Sequence, residues 1–162
     1  MAFHTLVLGI GNTLLSDEGV GVHALHYLAE HHPNLPDVEL LDGGTLSFTL
    51  AAPIAAADGL IVVDAARLDA EPGTVRLFEG EAMDSFVKGS HGSVHEVGLS
   101  DLLDMARLTG DLPSRRWLIG IQPRELGWGE QPTPEVAAAL PAAAALLLET
   151  IERWRGLGER GE

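Results

Sequence analysis

Apolar runs and helix-like stretches alternate along this chain, and that alternation restricts the fold more than any other feature. The strongest run, "GLIVVDA" (59–65), is rich in β-branched residues and closes on an acid, Asp64. "HTLVLGI" (4–10), "VELLD" (38–42), "TVRLFE" (74–79) and "RWLIGIQP" (116–123) read as four further strands. Between them, residues 17–31 carry Val22, Leu25 and Leu28 at helical spacing, and a short helix around 46–57 is interrupted near Pro53. "LSDLLDMARLTG" forms a helix that stops at Gly110, and an Ala/Leu-rich helix fills 135–155, with Pro141 kinking it or marking its true start. The stretch 80–97 has no clear period and reads as a long surface loop. Strands alternating with helices predict an α/β fold with one domain over 1–155. The expected architecture is a three-layer sandwich, a mostly parallel five-stranded twisted sheet covered by helices on both faces. Residues 156–162 should form a flexible tail.

Composition removes several function classes. The chain has 162 residues, and folding at this size buries roughly 70% of the unfolded surface, enough for a real core. Its net charge is −14, from 24 acids against ten scattered Lys and Arg, which disfavours nucleic acid and anionic membranes as partners. No apolar run approaches the ~20 residues of a membrane span. The first ten residues lack a basic n-region and a small-residue cleavage site, so the expected location is cytoplasmic. There is no cysteine, hence no disulfide, thiolate metal site or cysteine nucleophile. A G-x-S-x-G motif is missing too, which leaves metal-activated water as the economical route for a hydrolase.

Open α/β sheets place their sites beyond the carboxyl ends of the strands. The segment Gly9–Glu18, Asp42 and Asp64 should therefore converge on one edge. A dinucleotide-binding reading of "GIGNTL" falters, because Leu14 stands where the third glycine is wanted. Asp17 and Glu18 occupy the place of the phosphate, and two unit charges at ~4 Å repel by about 4 kcal/mol at an effective dielectric of ~20. A cation would be welcome there instead. As a first-turn acid, Asp17 is accounted for by the helix dipole, whereas Glu18 fits that role or a site role equally. Asp64 closes a central strand, where function is favoured; Asp42 fits a site or an Asx turn. His4, His23, His26, His31 and His32 read as surface or packing residues. His91 and His95, in "HGSVH", have the spacing of a zinc pair, but Gly92 replaces the glutamate that should follow the first histidine. One loop histidine meeting two strand-end carboxylates would make a set suited to a borderline divalent metal.

Taken in order and spacing, "VLGIGNTLLSDEGVG", "LLDGGT", "IVVDA", "HEVGLSDLL" and "IGIQPRELGWG" resemble the nickel–iron hydrogenase maturation endopeptidases. The resemblance runs through nearly the whole chain. It implies a monomeric protease that removes a C-terminal peptide from the precursor of the hydrogenase large subunit after nickel insertion. It also implies that Glu18, Asp64 and His95 are the catalytic and metal-contacting residues, and that Asp42, with Gly43, Gly44 and Thr45, serves substrate recognition. His91 is outside the family pattern. The nickel would come with the substrate, with no tightly bound metal in the free enzyme, and either a nickel-polarised carbonyl or a nickel-bound water would serve the hydrolysis. Two other readings remain at this point: a Rossmann-type nucleotide-binding accessory protein, and a nickel metallochaperone that cleaves nothing.

Overall fold

The computed structural model describes residues 2–89 and 96–159. Five strands form one sheet: β1 (Thr5–Ile10), β2 (Val38–Gly44), β3 (Gly59–Ala65), β4 (Val75–Glu79) and β5 (Arg115–Ile121), in the order β2-β1-β3-β5-β4. β1 pairs in parallel with β2 and β3, and β3 with β5; only the edge strand β4 runs antiparallel, against β5. The mostly parallel five-stranded sheet is the one expected.

β1 and β3 are buried along their whole length, so their residues alternate between two cores rather than between core and water. Val7, Ile61 and Val63 face one apolar layer, which contains α1 (Val20–His31) and α6 (Leu140–Glu159). Leu6, Leu8, Leu60 and Val62 face the other, made by α2 (Ala51–Ala56), α3 (Glu81–Lys88) and α4 (Glu96–Leu108). The three layers follow directly from these two unalternated strands.

Four local expectations need correction. Residues 81–88 form α3 rather than surface loop: Met83 and Val87 are buried at i, i+4 spacing, and Phe86 stacks on Phe78 at 4.2 Å. Four apolar residues in the octet, one of them the small and exposed Ala82, were too few to set a visible period. Pro53 does not interrupt its helix, because it sits in the first turn of α2, where its missing N–H has no intrahelical partner to lose. The last helix extends to Glu159, into the segment read as tail; Pro141 is its second residue and marks its start, after the single turn of α5 (Pro134–Ala137). Finally, Pro134–Gly156 is long and apolar enough to cross a membrane by length and composition, contrary to the sequence reading. Here Val136, Ala143, Leu147, Ile151 and Trp154 of this stretch are buried in the α1-side core.

The topology also locates the site. From β1 the chain passes through α1 to β2 on one side, then returns to β3 on the other side of β1. The connections diverge beyond the carboxyl ends of β1 and β3, which opens a crevice there.

Candidate active site

The glycines of the first loop are there for close approach. Beyond β1 the chain makes a 3-10 turn, Ser16–Gly19, before α1 begins. Asp17 and Glu18 are thus in that turn and not in the first turn of a long helix. At Gly21 an added Cβ would lie 2.1 Å from Val63 O and 2.5 Å from Ile10 O, so α1 starts directly against the ends of β3 and β1. Gly11, at φ +136°, would place a Cβ 1.9 Å from Glu18 O. These contacts lay the 3-10 turn over the end of β3, the strand that carries Asp64. Glu18 and Asp64 are 7% and 6% exposed, unusual burial for carboxylates.

Asp42, two residues before the end of β2, is in register with Gly9 of β1. Its Oδ1 accepts a 2.8 Å hydrogen bond from Gly44 N, so the Asx turn is present, on an exposed residue. A register shift between Gly9 and Ile10, Gly44 at φ +52° and Gly11 N donating to Gly44 O at 2.9 Å tie this loop to the first one. Leu46 is held at φ +67°, a left-handed conformation costly for a branched side chain and concentrated at functional loops. Beside it, a cavity of about 160 Å³ is lined by Thr45, Leu46, Phe48, Gly98, Asp101 and Leu102, among others. Gly98, in the first turn of α4, would bring a Cβ 3.2 Å from Leu46 Cδ1. The loop after β2 and the start of α4 therefore pack together.

His95 and His91 lie outside the described residues. Of the predicted set, Glu18, Asp64 and Asp42 gather at one end of the sheet, with Gly43, Gly44 and Thr45 beside them. His23, on α1, is the other notable histidine. Burial foremost, and then His26, hold its pKa below the ordinary value, with Asp17 opposing; its Nε2 has no hydrogen-bond partner among the described residues.

The helix-dipole account of Asp17 does not hold. Asp17 is 0% exposed and accepts four hydrogen bonds from a segment more than one hundred residues away. Oδ2 takes Arg124 N at 2.9 Å, Glu125 N at 2.9 Å and Thr133 Oγ1 at 2.8 Å; Oδ1 takes Thr133 N at 2.7 Å. The acid is an anchor for the loop after β5. Nothing local in "SDEG" signals this, because three of the four donors are backbone N–H groups and only the fold brings all four to the acid.

Comparison with known proteins gives one answer. Residues 22–150 match the family model HycI, hydrogenase maturation protease. The hydrogenase 2 maturation protease of Escherichia coli K12 is 37% identical over 149 residues, covering 90% of this chain and 89% of that protein. The hydrogenase expression/formation protein HupD of Thiocapsa roseopersicina is 36% identical over 158 residues, 97% of this chain and 72% of that protein. Among solved structures, the hydrogenase maturating endopeptidase HybD from E. coli superposes with a TM-score of 0.87 at 34% identity, covering 93% of both chains. With the family model matching most of the chain and such relatives at this identity, this chain belongs to the hydrogenase maturation protease family and is a peptide hydrolase.

Proposed function

We propose that this protein removes the C-terminal extension from the nickel-loaded precursor of a nickel–iron hydrogenase large subunit. The observation that supports the reading is the burial of two carboxylates, Glu18 in the turn beyond β1 and Asp64 near the end of β3, with that turn packed on β3 at the topological switch of the sheet. Carboxylates gathered at one edge are hard oxygen donors that attract a cation, and a metal presented by the substrate is a cation of the kind they would meet. His95, which directly precedes Glu96 of α4 in the sequence, would be the third contact. Two carboxylates and an imidazole form an open set for a divalent metal, so the nickel keeps bonds to its own protein while these residues meet it. A metal so placed polarises a carbonyl or activates water as a Lewis acid, and the docked geometry brings the adjacent peptide bond into reach. Asp42, with Gly43, Gly44 and Thr45, lies beside the crevice, where the extended tail of the precursor would run.

The test is direct. Purified enzyme, chelated and exchanged into metal-free buffer, is mixed with nickel-loaded or nickel-free precursor, and the precursor mass is followed. Loss of a C-terminal peptide from the nickel-loaded form alone is expected. Cleavage of both forms, or activity restored only by zinc added to the enzyme, would mark a conventional metalloprotease. Binding without any cleavage would mark a metallochaperone.

A further inference from the structure

Large apolar side chains left in water are informative when they cluster. Among the described residues five are exposed, and four of them sit in the connections beyond the carboxyl ends of β1, β2 and β5: Leu14 (51%), Phe48 (73%, in a 3-10 turn), Leu126 (50%) and Trp128 (84%). Leu108, at the far end of α4, is the exception. Leu14, Leu126 and Trp128 belong to two loops laced together by their backbones. Gly129 N donates to Leu14 O at 2.9 Å, Ser16 N to Gly129 O at 2.8 Å and Asp17 N to Glu125 O at 3.0 Å. Ser16 Oγ donates to Gly127 O at 2.8 Å, and a Cβ at Gly129 would fall 2.6 Å from that hydroxyl. The four bonds to the Asp17 carboxylate complete the attachment. A Pro- and Gly-rich loop of this length would ordinarily be mobile; this one is fixed at both ends to the turn that carries Glu18.

We infer that the 124–133 loop is a docking surface for the folded body of the large-subunit precursor, with Trp128 and Leu126 as apolar anchors and Asp17 as the residue that positions them. The inference rests on the protease reading above. The exposed acids Glu125 and Glu130 flank the anchors, on a chain of net charge −14, so the complementary face is apolar at its centre and basic at its rim. Prior fixation of the loop lowers the ordering cost of association, which is the use of a buried four-bond anchor beside a site. Glu18 then meets its target because the same turn that holds it also holds the docking loop.

The experiment combines processing kinetics on nickel-loaded precursor with calorimetric binding of the same precursor. Trp128→Ala should raise KM and Kd by about 30-fold, as loss of an aromatic anchor does, and leave kcat within about twofold. Asp17→Asn should raise KM by at least about tenfold with the same split, because its amide would direct an N–H at Thr133 N. Thr133→Val, which removes a single donor, should move KM in the same direction by less and serves if Asp17→Asn does not fold. Leu108→Ala should behave as wild type. Unchanged KM and Kd in Trp128→Ala, or a loss confined to kcat, would overturn the inference. Tight binding that Trp128→Ala weakens, with no cleavage by the wild type, would instead leave the surface standing and remove the protease reading.

Discussion

Gly21→Ala sets two physical effects against each other. Gly21 is the second residue of α1, and by helix propensity alone alanine there should stabilise the protein by about 0.5–1 kcal/mol. The structure gives the opposite sign. The new methyl would stand 2.1 Å from Val63 O and 2.5 Å from Ile10 O, where ordinary contact begins at 3.4 Å. Both neighbours are backbone atoms of the two central strands, so α1 has to retreat by about 1 Å. Overpacking of this kind costs roughly 1–3 kcal/mol, and a clash with two fixed carbonyls belongs at the upper end. The net expectation is a loss of about 2 kcal/mol, a fall of roughly 4–8 °C in melting temperature for a chain of this size. Retreat of α1 also carries the Ser16–Gly19 turn with it, moving Glu18 away from Asp64. A displacement of about 1 Å at a reacting centre can cost about 100-fold in rate, so processing should fall much further than stability. Thermal melts monitored by circular dichroism, with precursor processing measured well below the transition, separate the two quantities. A variant that melts at or above the wild-type temperature and processes normally would refute the claim that the glycines exist for close approach.

Glu18→Gln should abolish processing with the fold intact and a melting temperature equal to or above that of the wild type, since crowded like charge costs stability in the free protein; circular dichroism and the mass assay check both parts. Asp84→Asn should destabilise by roughly 2–3 kcal/mol in urea unfolding, because Arg116, donating to Asp84 Oδ2 at 2.6 Å and Oδ1 at 2.9 Å, would be left largely buried without its counter-charge. Burial alone would raise the Asp84 pKa, but its hydrogen bond to Arg116 and the charges of Arg116, Arg107 and Lys88 outweigh it and hold the carboxyl below the ordinary value. Its stabilisation is therefore complete above the ordinary carboxylate pKa and is lost as pH falls through the lower folded value, and Asp84→Asn should flatten the acid limb of the stability curve. Phe48→Ala, at the rim of the cavity beside the loop after β2, should leave the stability measured by urea unfolding within about 0.5 kcal/mol of wild type, as expected of a side chain so exposed.

The sheet was legible because its central strands announce themselves. "HTLVLGI" and "GLIVVDA" are apolar on consecutive residues, which only a strand covered on both faces requires, and the expected and observed bounds of β3 coincide. α3 was hidden for the converse reason. It is a peripheral helix whose inner face consists of Met83, Phe86 and Val87, and Asp84 adds a tie to the sheet by accepting from Arg116 across thirty-two residues. Ion pairs of that range leave no periodic trace in a sequence.

Asp17 and Glu18 show the same division within one dipeptide. Both are acids, both are buried, and both sit in one 3-10 turn. The proposed role of Glu18 rests on motifs visible in the sequence: a glycine loop after one strand, an acid near the end of the next strand but one, and a sheet whose order reverses between them. The role of Asp17 depends on Arg124, Glu125 and Thr133, of which two contribute only backbone N–H groups, and any residue type except proline supplies those. Side-chain chemistry writes itself into sequence, whereas backbone donors do not. A buried carboxylate whose partners are backbone amides is accordingly the kind of residue that sequence reasoning assigns to a helix dipole, and only the assembled fold shows it to be holding the wall of the site.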